Sequence, residues 1–335
     1  MTQHGAKPGR LNLISDVDGI LVGQAENLDV RSGTTVIVPE TRCAAGVDVR
    51  GGAPGTRDID ALEATCLVGA IDAVVLSGGS AFGLDAAGGA LAWLAAQGRG
   101  FKVADAVVPI VPGAILFDLA NGGDKTWGEF PPYWDLGRQA VAAAAKEFAL
   151  GNAGAGLGAT AGHLKGGLGS ASVVTADGLQ VGALVAVNAV GSPVVPGTRT
   201  LWSALYEQNG EMGSPPRTLP DGDIALDGLI KGFPGGNTTI GVIATNATLD
   251  GAQARRVAIM AHDGLARAIR PIHTPFDGDT IFCLATGTDG DAVNPEGLGA
   301  IGTLAADCMT RAVGRAMVEA ESLDDLVCYR DWLAR

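Results

Sequence analysis

Short runs of β-branched and small apolar residues, as at 34–38, 73–76 and 183–187, alternate with Ala-rich stretches of helical spacing, which confines the chain to a mixed α/β (α+β) architecture. The spacing predicts a helix over 254–269: Ala254, Val257, Ala258, Ala261, Leu265, Ala268 and Ile269 recur at three and four residues, Asp250 and Gln253 stand as a capping box, and Pro271 ends the run. Further helices are expected at 84–96, 136–149 and 297–319. Glycine supplies 51 of 335 residues without the three-residue period of collagen, so the glycines are expected at tight turns and close backbone approaches. One segment, 192–236, carries Pro193, Pro196, Pro215, Pro216, Pro220 and Pro234 and is longer than an ordinary connection, which marks it as functional or mobile.

Charge narrows the partners. Lys plus Arg is 23 against Asp plus Glu 36, a net charge of -13, so nucleic acid and anionic membrane surfaces are not expected to bind. No apolar stretch reaches the ~18 residues of a membrane span. The five cysteines (Cys43, Cys66, Cys283, Cys308, Cys328) are widely spaced without a CxxC pair, which points away from a disulfide framework or a zinc site. With no apolar signal region near Met1, a cytoplasmic location is expected.

Where chemistry can reside is narrower still. Two glycines lead into Asn237, Thr238 and Thr239 and then an apolar strand, a place where a chain can be cut. A threonine hydroxyl is a poor nucleophile until a base takes its proton, and a threonine at a chain N-terminus carries its own base in the α-amino group. The alternative is that Thr238 and Thr239 merely open a strand. In HTPFDGDT, Asp277 and Asp279 stand two apart and share one side if extended; they can orient a nucleophile, or belong to a polar turn. A metal reading of His273, Asp277 and Asp279 lacks a further ligand cluster, and no metal or cofactor is expected.

Lys165, in the glycine-rich GATAGHLKGGLGSAS, is either a solvated lysine or one set against the two aspartates. Asn188, at the end of an apolar run, is either a strand-end cap or an oxyanion donor. The run Ser77-Gly78-Gly79-Ser80 follows a strand and precedes a helix, but its register fails G-x-S-x-G because the last position is Phe82.

Taken together, ISDVDG (14–19), SGTTVI (32–37), DVRGGAPGT (48–56), LSGGSAFGL (76–84), GNTTIGVIATNA (236–247) and HTPFDGDTIF (273–282) resemble the S58 (P1) peptidases, which include β-aminopeptidases, D-aminopeptidases and 6-aminohexanoate-oligomer hydrolases. The resemblance implies a single-domain N-terminal-nucleophile hydrolase with a four-layer α/β/β/α sandwich, of the type shared with ornithine acetyltransferases. It further implies a precursor that cuts itself between Asn237 and Thr238 into chains 1–237 and 238–335. By the same resemblance Thr238 is the nucleophile, Asp277 and Asp279 the paired acids, Lys165 the lysine and Asn188 the oxyanion donor. Thr238 with two aspartates is closer to the nylon-oligomer branch than to the serine β-aminopeptidases. The implied substrate is a small peptide or other amide, and the implied assembly a tetramer or larger homo-oligomer. Related aminopeptidases place a tyrosine near the oxyanion where this chain has Phe117, which offers no donor. An acyltransferase of the ornithine acetyltransferase type and a non-catalytic scaffold are the rival readings.

Overall fold

The computed structural model describes residues 5–218, 237–287, 290 and 292–335. Six strands form one sheet, in the order β1 (Ala6–Lys7), β12 (Gly167–Thr175), β13 (Gln180–Asn188), β14 (Thr238–Thr245), β15 (Thr280–Ala285) and β4 (Ala44–Val49). Five form the other: β2 (Ile20–Asn27), β3 (Ser32–Pro39), β6 (Val74–Ser77), β9 (Gly113–Ile115) and β5 (Thr56–Arg57). Two small hairpins, β7 (Phe101–Val103) with β8 (Ala106–Val108) and β10 (Thr160–Ala161) with β11 (Leu164–Lys165), stand apart from them.

Three apolar clusters fix the layering. One, with Ile37, Leu76, Leu184 and Val242, lies between the two sheets. A second packs α3 (Gly251–Ala268) and α4 (Pro295–Glu319) on the six-stranded sheet. The third packs α1 (Asp85–Ala96) and α2 (Tyr133–Ala142) on the five-stranded one. The result is the expected α/β/β/α sandwich. The five cysteines are free thiols, and among the described residues no helix is long and apolar enough to cross a membrane.

Strand β14 occupies the middle of the first sheet, antiparallel to β13 and parallel to β15. All eight of its residues are buried, because one face meets the other sheet and the opposite face meets helices, which is why TTIGVIAT has no polar alternation. Helix α3 begins as its sequence indicates: Asp250 accepts from Gln253 N–H (2.8 Å) and Gln253 Oε1 accepts from Asp250 N–H (3.1 Å). The expected helix at 136–149 is corrected to Tyr133–Ala142. Ala145 leaves the helix to exchange two backbone hydrogen bonds with Val22 (2.9 and 3.0 Å), a tertiary pairing that overrides the helix propensity of the alanines. Of the Pro-rich segment, 219–236 lies outside the described residues; before it, Ser192 pairs with Arg270 and Trp202–Tyr206 makes a 3-10 turn.

Candidate active site

Thr238 opens β14 directly opposite Asn188, the last residue of β13. Because directly opposed residues of an antiparallel pair point to the same face, the two side chains are neighbours there. Both are buried, at 3% and 1% exposure. Thr238 Oγ1 donates to the carbonyl oxygen of Asn237, its own preceding residue, and accepts a hydrogen bond from Gly278 N–H (3.0 Å). Asn237 is bridged in parallel to Asp277.

The two aspartates lie together and fully buried, but they are held differently. Asp279 Oδ1 accepts from Thr239 N–H (2.7 Å), and its Oδ2 accepts from the backbone N–H (3.0 Å) and Nδ1 (2.8 Å) of His273. Asp277 accepts from Val190 N–H (3.2 Å), from Thr274 N–H (3.0 Å) and from the Thr274 hydroxyl. Burial, reinforced by the charge of Asp279, pushes the Asp277 carboxyl above its ordinary value. The loop around Gly51 clamps this pair: Arg50 N–H donates to Asp279 O (2.9 Å) and Ala53 N–H to Asp277 O (2.8 Å). A Cβ on Gly51 would stand 2.2 Å from Asp277 O, so only glycine permits this approach and the DVRGGAP stretch has a structural meaning.

Asn188 is oriented by groups whose roles are fixed. Thr160 N–H donates to its Oδ1 (2.9 Å), and its Nδ2 donates to the backbone carbonyl of Phe117 (2.9 Å). Phe117 therefore enters the site through its main chain. An amide nitrogen carries two hydrogens, and the Phe117 bond uses one of them.

Lys165 departs from expectation. It is neither solvated nor bonded to the aspartates: fully buried, it donates to the carbonyls of Gly156 (2.9 Å) and Gly166 (2.8 Å). Burial lowers its amine to about 7, against the attraction of Asp118 and, more weakly, Cys328. These bonds tie two loops beside Asn188, since Gly166 N–H itself donates to Ala159 O (2.9 Å) and Thr160 follows.

Three groups at the site escaped the sequence reading. His262 of α3 stands edge-on to His273 with ring centroids 4.8 Å apart, and its Nε2 donates to the Asp48 carbonyl (3.1 Å). Burial, the largest effect, lowers His262 to about 4. Asp118 accepts from Gly79 N–H (2.8 Å) and is raised by burial, and Gly278 touches Thr238 itself. Of these only Gly278 carries a signal, its place between Asp277 and Asp279, whereas His273 enters only the metal reading. Among the described residues no group of three or more His, Cys, Asp or Glu is arranged to hold a metal ion.

The chain has relatives among known proteins. A family model described as peptidase family S58 matches residues 12–326. An uncharacterized aminopeptidase of Mycobacterium tuberculosis is 44% identical over 342 residues, covering 96% of this chain and 98% of the relative. A 6-aminohexanoate-oligomer endohydrolase of Kocuria sp. is 30% identical over 288 residues, covering 83% and 76%. Among solved structures, a Burkholderia sp. β-aminopeptidase superposes with TM-score 0.70 at 25% identity, covering 95% of this chain and 90% of that one. The L-aminopeptidase D-Ala-esterase/amidase of Ochrobactrum anthropi, described as a new variant of the Ntn hydrolase fold, superposes with TM-score 0.68 at 23% identity over 95% of this chain and 88% of that one.

Proposed function

Because this chain belongs to peptidase family S58, a family of hydrolases acting on peptide and other amide bonds, we propose that it is a self-processing amide hydrolase whose nucleophile is Thr238. The observation that carries this reading is the contact of Thr238 Oγ1 with the carbonyl of Asn237 at the buried mouth of β14.

In the precursor, Oγ1 attacks the Asn237 carbonyl carbon. The bond from that carbon to Thr238 N breaks, the hydroxyl proton passes to the nitrogen, and an ester joins the chains. Water hydrolyses the ester, leaving chains 1–237 and 238–335 with a free amine on Thr238. That amine then takes the Oγ1 proton as Oγ1 attacks a substrate amide, and the remaining N–H of Asn188 receives the developing oxyanion. The substrate's amine departs with the proton, and water releases the acyl group. Asp279 holds the strand start through Thr239 N–H, while Asp277, whose main chain is bridged to Asn237, is in this reading the carboxylate that steadies the new ammonium. Lys165 supports the Asn188 side of the site through the Gly156 and Gly166 carbonyls.

The substrate class within this reading is a short peptide or other oligoamide, as the names aminopeptidase and 6-aminohexanoate-oligomer endohydrolase suggest for those proteins. Hydrolysis of β-alanyl and 6-aminohexanoyl p-nitroanilide, with and without an added amine acceptor, tests it. Release of nitroaniline by the wild type without acceptor, and none by Thr238→Ala, is the expected result; release only when the amine acceptor is present, with the acyl group on that amine, identifies an acyltransferase instead.

A further inference from the structure

The contact between His273 and Asp279 has no part in the chemistry above, yet Asp279 is bonded to Thr239, the residue after the candidate nucleophile. Asp279 uses one oxygen for Thr239 N–H and the other for two donors of His273, the backbone N–H and Nδ1. The histidine accepts a left-handed backbone to do so, with φ of 57°, a conformation that L side chains adopt at a cost and that persists where the surroundings impose it. Its side chain is 22% exposed, whereas the Asp279 it reaches is fully buried.

The other side of the ring is fixed as well. His262 meets it edge-on, and His262 is itself anchored on Asp48, whose carboxylate also pairs with Arg50. A carbonyl can only accept, so the Asp48 contact puts the His262 proton on Nε2 and leaves its Nδ1 buried without a partner. A neutral ring in that tautomer is a steric backstop rather than a competing donor for the carboxylate.

Resting on the reading that Thr238 is the nucleophile, we propose that His273 is a positioning residue. Its Nδ1–H locks the Asp279 carboxylate in the rotamer that holds Thr239 N–H, and so fixes the direction of Thr238 Oγ1 at the cleavage carbonyl. A small misplacement of a nucleophile costs on the order of 10²-fold in rate.

The test follows self-cleavage of the full chain in a cell-free translation chase, for wild type, Thr238→Ala, His273→Ala and His273→Asn, with melting temperatures of the purified proteins. Asparagine tolerates the left-handed backbone and keeps a side-chain N–H within reach of Asp279. His273→Ala should cleave at least about tenfold more slowly at temperatures well below its own melting point, and His273→Asn should recover most of the wild-type rate. Wild-type speed in His273→Ala, or equal slowing in both His273 variants, overturns the proposal while leaving Thr238 in place. A wild type that stays uncut like Thr238→Ala removes the nucleophile reading and the His273 proposal with it.

Discussion

Asn188 and Thr238 are directly opposed residues on neighbouring antiparallel strands, so the candidate oxyanion donor and the candidate nucleophile are held in register by the sheet itself. A site built on strand ends of a buried sheet is more rigid than one built on loops. Replacing Asn188 with Ala removes a donor without disturbing the ladder, whose bonds are all main chain. Turnover should fall by ~10²–10³-fold, and the melting temperature should fall too because Thr160 N–H and the Phe117 carbonyl lose the amide they bond, as steady-state kinetics and calorimetry would read. A variant with unchanged turnover would remove Asn188 from the chemistry.

Gly278→Ala probes the opposite side of Thr238. A Cβ there would lie 2.8 Å from Thr238 Oγ1 and 2.7 Å from Ala53 O, so the acid loop must shift and carry its N–H away from the hydroxyl. Self-cleavage should slow by about 10²-fold while circular dichroism stays that of the wild type. Cleavage at the wild-type rate would show that the Gly278 contact is incidental.

Lys165 makes stability depend on alkaline pH. In the unfolded chain its amine keeps the proton up to its ordinary value of 10.5, whereas the folded amine releases it at about 7. Between these values the unfolded state binds more protons, so Lys165 favours folding increasingly as pH rises. Relative to Lys165→Met, the wild type should gain roughly 1 kcal/mol per pH unit across that window, measured by urea unfolding. A difference flat in pH would mean that the buried amine holds its proton.

His262 acts in the same direction at acid pH. Its ring takes a proton at about 4 when folded and at 6.5 when free, so acidification through that interval stabilises the unfolded chain. The wild type should lose roughly 3 kcal/mol relative to His262→Gln between those limits, since Gln keeps a donor for the Asp48 carbonyl without titrating. Parallel stability curves for the two proteins would contradict the assignment.

Local chemistry made much of the fold readable. The Asp250 cap with its three- and four-residue apolar spacing defined α3, and the strand runs at 34–38, 73–76 and 183–187 fall within or against β3, β6 and β13. The motifs also brought Thr238, Asp277, Asp279 and Asn188 into one place. What failed to show depends on contacts distant in sequence. The length of α2 is set by Val22, and the partners of Lys165 are main-chain carbonyls, which no side-chain pattern encodes. His262 sits on the apolar face of an ordinary helix, and only the packing of α3 against β4 turns it toward His273.

The central claim is the cut before Thr238, and the intact mass of purified wild type beside Thr238→Ala tests it most directly. The wild type should separate into two chains, the smaller beginning at Thr238 and weighing about 10 kDa, the share of residues 238–335 in 33.7 kDa, while Thr238→Ala remains one chain. A wild type of a single 33.7 kDa mass under the same conditions would contradict the account.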